Sequence, residues 1–344
     1  MTNVFDYLKW RDDIEFHSMN EVDVLIFNWI TYFPWEKILT EKESLTIGKA
    51  YEKSLNIKNI HYTKNDLELF ERLVYSIRYK DLLISNVVSK TNDYKEEQFM
   101  AMTIHLPKNY LYLSFRGSTN ELIGWKVNLN MSFMTAFSQL DALNYVNRAN
   151  ITKKLYLGWH SKGGNLAMYA GVYANILIQN RIVKIFNYDG PGFLELDDKY
   201  YRINKKIISY LPSSSIVVIL LEYYHKIIVI ESYKKRILEN NLYTWQIEKD
   251  HFITSKFNNE SNFLKTIIDK FMSKVSKVDK QKLVNDLFGI IKKTGAKTVR
   301  DIYFMKIKDM LLSYRNLDEE SKKLLFTIFR HLYESARDNI KTRK

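Results

Sequence analysis

Residues 154–167 read Lys-Leu-Tyr-Leu-Gly-Trp-His-Ser-Lys-Gly-Gly-Asn-Leu-Ala. The run begins as a short apolar strand, breaks at a Gly pair and leaves as a helix of small residues. A serine at the apex of a sharp strand–helix turn is the geometry of a nucleophile elbow, which exposes the hydroxyl Oγ. Ser161 sits at that apex. The helix N-terminus beyond it supplies N–H groups and positive potential for a developing oxyanion, and the backbone N–H of Lys162 is the nearest donor. The crossing is tight, so small residues are expected two positions before and two after the serine. Gly163 meets that demand. Trp159 does not, and the nearest glycine upstream is Gly158. Trp159 is therefore expected either to send its side chain away from the crossing or to distort the elbow. The competing reading is a strand–turn–helix packing or phosphate loop with an incidental serine.

Outward from this segment the pattern alternates. Gln98–Leu106 and Tyr110–Phe115 are β-rich runs around Pro-Lys-Asn, which predicts a hairpin. Leu122–Leu143 has helical periodicity. The helix after the elbow is expected over 165–180, followed by a strand over Ile182–Tyr188 that closes on Asp189-Gly-Pro-Gly192. Further strands are read at 216–221 and 226–231, and a short one near 245–247. Strands alternating with helices predict a mainly parallel sheet with helices on both faces. Before the sheet, helices are expected over 4–11, 21–33, 43–56 and 65–84. After Ser261 the chain reads as helices again. The expected organisation is one sheet domain over 1–260, including its helical N-terminal region, with a helical extension over 261–344 packed on it.

Composition narrows the chemistry. The chain has 344 residues, 46% hydrophobic and 26% charged, which are ordinary globular values. It has no cysteine, so disulfides, thiolate metal sites and a cysteine nucleophile are excluded. No His/Asp/Glu cluster has metal-ligand spacing, and neither a metal nor a cofactor is expected. The first residues carry no signal-peptide pattern, and the longest apolar run, 215–231, is interrupted by Glu222, His225 and Lys226. A cytoplasmic protein is expected. The net charge of +13 attracts polyanions. No nucleic-acid recognition motif accompanies it, so no specific nucleic-acid partner is expected, and contact with an anionic membrane surface remains a second use of the charge.

Several stretches, in one order along most of the chain, carry a family resemblance. They are Asp6-Tyr7, Trp10-Arg11 and Asn20-Glu-Val-Asp23, then Phe115-Arg-Gly117, Gly124-Trp-Lys126 and Asn130-Met-Ser-Phe133. The most specific is His160-Ser-Lys-Gly-Gly-Asn-Leu-Ala167, followed by Asn187-Tyr-Asp-Gly-Pro-Gly-Phe193 and Thr244-Trp-Gln246. The chain resembles a bacterial lipase-like family of unknown function with the α/β-hydrolase fold.

The resemblance implies the roles. Ser161 would attack an acyl ester or lipid. The N–H groups of Ser118 and Lys162 would hold the oxyanion. Asp189, at the end of the strand after the elbow helix, would orient a histidine. Asp189 also reads as a turn aspartate that bonds its own backbone. A His-Asp pair is expected shortly before Trp245, but the chain has Asn240-Asn241 there. Asparagine cannot take the serine proton near neutral pH. By chain order His251 is the substitute base, with His160 and His225 less well placed. Two functions follow as expectations: a serine esterase or lipase with impaired chemistry, or a non-catalytic binding or regulatory relative.

Overall fold

A computed structural model of the chain describes residues 2–11, 18–58, 60, 62–92, 97–117, 131, 135–193, 196–215, 223–234, 241–257, 319 and 322. The expected strand at 216–221 and the expected extension over 261–344 lie outside these, apart from the two isolated residues, as do Ser118 and Asn240.

Eight strands form one sheet in sequential order: β1 (Ser44–Thr46), β2 (Leu83–Asn92), β3 (Glu97–Leu106), β4 (Tyr110–Phe115), β5 (Lys154–His160), β6 (Ile182–Tyr188), β7 (Ile207–Pro212) and β8 (Lys226–Ile230). The first four pair antiparallel, and β4 to β8 are parallel. This is the expected α/β-hydrolase type of sheet. The β3–β4 hairpin closes through the three residues Pro107, Lys108 and Asn109, the last two at positive φ (58° and 64°) where the chain reverses. A separate two-stranded hairpin pairs β9 (Ile247–Glu248) with β10 (His251–Phe252).

Helices cover both faces. On one lie α1 (Val4–Arg11), α2 (Glu21–Ile30), α3 (Trp35–Ile38), α4 (Ile47–Leu55) and α5 (Lys64–Tyr75). On the other lie α6 (Phe137–Asn147), α7 (Lys162–Tyr173), α8 (Ile176–Arg181) and α9 (Asp198–Ile203). The N-terminal helices are thus one of the two layers that bury the sheet. Helix α2 shows why. Its residues Val22 to Asn28 are all buried, and a helix buried all round has to lie between other elements. Asn20 caps it by accepting from the N–H groups of Val22 and Asp23.

Two buried polar residues of α2 find partners inside the fold. Asp23 takes a two-pronged contact from Arg78, through Nε at 2.9 Å and Nη2 at 2.5 Å, and also accepts from the hydroxyls of Tyr7 and Tyr79. Asn28 accepts from Tyr112 of β4 at 2.5 Å. The Arg78 and Asp23 side chains are 3% and 0% exposed, so removing either charge strands the other in a low-dielectric interior.

Several boundaries differ from the sequence reading. The helix expected over 43–56 is preceded by strand β1 at Ser44–Thr46, and that expected over 122–143 is described from Phe137 and runs to Asn147. The helix expected over 65–84 stops at Tyr75, and β2 starts at Leu83. The helix expected over 165–180 is interrupted at Ala174–Asn175, where Asn175 caps a new helix by accepting from Ile178 N–H. Strand β7 was not anticipated.

Replacing Asp23 with Asn should cost roughly 3–5 kcal/mol in urea-induced unfolding, because the Arg78 guanidinium stays buried without its counter-charge. A loss below about 1 kcal/mol would show the pair to be solvated in solution.

Candidate active site

Strand β5 is an interior strand, the second of the five parallel ones, between β4 and β6. It delivers Ser161 to its C-terminal end, where α7 begins. The backbone of Ser161 has φ 56° and ψ −133°. A side chain at positive φ is sterically strained by roughly 1–3 kcal/mol, and the strain persists only where the surroundings over-determine it. Here they do. Ser161 N–H donates to Tyr188 O at 2.8 Å, and its own carbonyl accepts from Gly164 N–H at 2.9 Å. The Ser161 side chain is partly exposed, and among the described residues no group hydrogen-bonds its hydroxyl.

Trp159 does not distort the elbow. Its indole is fully buried and lies over Gly163, where an added Cβ would come within 1.9 Å of Trp159 Cδ1 and 2.1 Å of Phe115 O. The glycine two positions after the serine provides the space that the tryptophan two positions before it uses. Tyr32, from the end of α2, tilts against the same indole with centroids 4.8 Å apart, and its hydroxyl meets His160 Nδ1 at 3.0 Å. Gly117, after β4, is pressed into this corner as well: a Cβ there would meet His160 O at 2.7 Å and the Tyr32 hydroxyl at 2.9 Å. The Arg116-Gly117 turn therefore reaches the strand end beside Ser161, and Arg116 is tied back to Glu36 at 3.1 Å. Ser118, the residue expected to give the second oxyanion N–H, lies outside the described residues.

Lys162 opens α7, so its N–H belongs to the unsatisfied first turn of the helix. Its side chain is buried and donates to Gln98 O at 2.8 Å. The turn after β6 packs against the same place. Asp189 is buried at φ 49°, its N–H donates to Tyr210 O at 2.9 Å, and its Oδ1 accepts from Ser215 at 2.5 Å. A Cβ at Gly190 would lie 2.3 Å from Ser161 O and 2.3 Å from Asn187 Oδ1, so only glycine lets this turn close on the elbow. Asn165, also buried, fastens the turn to α7 by donating to Gly192 O at 2.6 Å while accepting from Gln139 at 2.7 Å. The structure thus brings Ser161, Lys162 and Asp189 to one end of the sheet.

The histidines lie elsewhere in the bonding scheme. His251 is exposed on the β9–β10 hairpin and pairs with Asp250 at 3.3 Å and Glu248 at 3.8 Å. No hydrogen bond joins it to Ser161 or Asp189 among the described residues. His225 bridges Ser209 at 2.7 Å and Tyr200 at 2.8 Å. Burial pushes its pKa down to about 4. Ser209 accepts from Asn187 Nδ2, which also donates to Gly190 O, each at 2.9 Å. A chain of polar contacts therefore runs from His225 to the Asp189–Gly190 turn. Asn187, Asn165, Tyr32 and Gly117 were not singled out from sequence.

A family model matches residues 73–289, well over half of the chain, and takes in Ser161, Lys162 and Asp189. The chain belongs to the Mbeg1-like family. No curated protein matches it. Among solved structures it is similar to a fungal lipase (11% identity over 68% of this chain and 84% of that one, TM-score 0.42). It is similar also to the MDLA protein of Penicillium cyclopium (12%, 72% and 92%, TM-score 0.42). A third is the Rhizomucor miehei lipase–propeptide complex (16%, 45% and 58%, TM-score 0.32). The chain spans 58% of the length of the Rhizomucor miehei structures it matches. Within the Mbeg1-like match, Ser161 and Asp189, both at positive φ, directly follow the neighbouring parallel strands β5 and β6.

Strain at Ser161 predicts that Ser161→Gly raises stability by about 1–2 kcal/mol, read as a higher Tm, while Ser161→Ala leaves it nearly unchanged. Equal Tm values for the glycine and alanine variants would remove the strain from the account. His225 predicts a pH effect. Its pKa is lower folded than unfolded, so its contribution is complete above about pH 6.5 and is lost as pH falls towards 4. Unfolding free energy should drop by at most about 3 kcal/mol through that window. His225→Gln should flatten the profile between those limits, and an unaltered profile would place the titration elsewhere.

Proposed function

We propose that this Mbeg1-like chain is a lipase- or esterase-like serine hydrolase in which the nucleophile elbow is kept and proton transfer is impaired. The observation that carries this reading is the strained Ser161 at the end of an interior strand, with no described histidine hydrogen-bonded to its hydroxyl. Ser161 is the nucleophile, the N–H groups of Lys162 and Ser118 are the oxyanion donors, and Asp189 is the acid of the ancestral arrangement. The substrate class is an acyl ester or lipid. Without a base the hydroxyl is a poor nucleophile, and an oxyanion hole alone leaves only residual acceleration.

The non-catalytic reading, a binding or regulatory protein on the same fold, is favoured by Asn240 at the position where the resemblance expects the base. A fluorophosphonate probe separates the two. The impaired hydrolase is expected to label slowly and only at Ser161, to lose labelling in Ser161→Ala, and to turn over p-nitrophenyl butyrate barely above background. Absence of any labelling would leave the binding role. Rapid turnover that both Ser161→Ala and His251→Ala abolish would instead establish His251 as a working base.

A further inference from the structure

The N-terminal ends of β4 to β8 form an edge at the opposite end of the sheet from Ser161. The strand register defines it: Tyr110 pairs with Lys154, Leu155 with Ile182, Ile185 with Ile207, and Ile208 with Lys226. Five strands at the usual spacing of about 4.8 Å make this edge roughly 19 Å wide. It is basic. Lys154, Arg181, Lys184, Lys205 and Lys226 are exposed along it, with Lys153 half-buried beside them. Their described partners are neutral: Lys153 Nζ donates to Asn109 at 2.6 Å, and Lys154 Nζ lies 5.3 Å from the Tyr110 ring. Among the described residues no carboxylate pairs with any of the six. The described acids nearest in sequence to Lys184 and Lys226, Asp189 and Glu231, follow the C-terminal ends of β6 and β8, at the far end of the sheet.

The same edge exposes aliphatic side chains. Ile176 and Leu177, in the first turn of α8, are 51% and 62% exposed, and Ile151, in the turn before β5, is 51% exposed. Val183 joins them through a break in register. Leu155 pairs with Ile182 but Tyr156 pairs with Lys184, so Val183 is left unpaired on β6 and turned out between Ile182 and Lys184. Tyr224, just before β8, is 66% exposed. Aliphatic side chains interleaved with unpaired cations suit one kind of surface. Lysine and arginine are drawn to anionic headgroups, and apolar side chains enter the boundary between headgroups and acyl chains. A nucleic acid would reward the cations but gain little from Ile151, Ile176, Leu177 and Val183.

We propose that this basic edge docks the protein on an anionic lipid bilayer, with the Ser161 end of the sheet pointing away from it. No helix among the described residues is long and apolar enough to cross a membrane, so the contact is peripheral. Docking through this edge does not require Ser161 to react.

The test is co-sedimentation of the full chain with vesicles of phosphatidylcholine, with or without phosphatidylglycerol, across a salt series. The wild type is expected to bind only the anionic vesicles. The triple variant Lys184→Glu/Lys205→Glu/Lys226→Glu should lose roughly tenfold or more in affinity. Ile176→Ser/Leu177→Ser should bind at low salt but be released at lower salt than wild type, because the salt-insensitive apolar part is removed. Both variants change exposed side chains, and the serine pair decides the matter if charge reversal impairs folding. Wild-type binding by both variants would assign the contact to another part of the chain and overturn the proposal. So would equal binding to neutral vesicles, no binding to anionic ones, or polyuridylate binding tighter than vesicle binding and indifferent to the serine pair.

Discussion

The conformation of one residue governs the site. Ser161 is held at positive φ because the chain must turn from an interior parallel strand into a helix within a single residue. Everything around it makes room for or locks that turn. Gly163 yields its side-chain volume to the Trp159 indole, Gly190 lets the β6 turn close on the Ser161 carbonyl, and Asn165 bolts that turn to the elbow helix. A crossing this crowded cannot relax locally, so the strain is retained by packing rather than by any one bond.

The N-terminal helices support the arrangement from the opposite face. Helix α2 lies against β4 and β5, and Tyr32 at its end reaches the corner where Trp159, His160 and Gly117 meet. Asp23, at the start of the same helix, is anchored by Arg78. The charge pair that fixes α2 therefore also fixes the wall of the elbow. Asp189 is fixed separately, through Tyr210, Ser215 and the Asn187–Ser209–His225 contacts on the other side of the sheet.

What could be read from sequence was local. The strand, Gly pair and small-residue helix around Ser161 lie within a dozen residues, and the β3–β4 hairpin announces itself through Pro107-Lys-Asn109. Strand β2 was hidden because Leu82 and Ile84 extend the apolar spacing of α5 past its real end. The short β7 sits between a basic turn and a serine run and ends in Pro212, so neither alternation nor a clear boundary marked it. The accommodation of Trp159 could not be foreseen, since spacing shows that a large residue is present but not that Gly163 opens the space it fills. Tyr32 lies 128 residues from His160, and no local pattern signals such a contact. Chain order points to His251 as the base, and the acids that approach it, Glu248 and Asp250, belong to the same hairpin.

The central claim is that a nucleophile elbow has been kept without a working proton acceptor. It is tested most directly by the pH dependence of the second-order rate at which a fluorophosphonate modifies Ser161, followed by intact-protein mass spectrometry. Without a base, the rate should rise smoothly with hydroxide and show no step between about pH 5 and 8, the range in which an imidazole titrates. A sigmoidal rise with a midpoint near 6.5, abolished by a single histidine substitution, would contradict the account and identify the base.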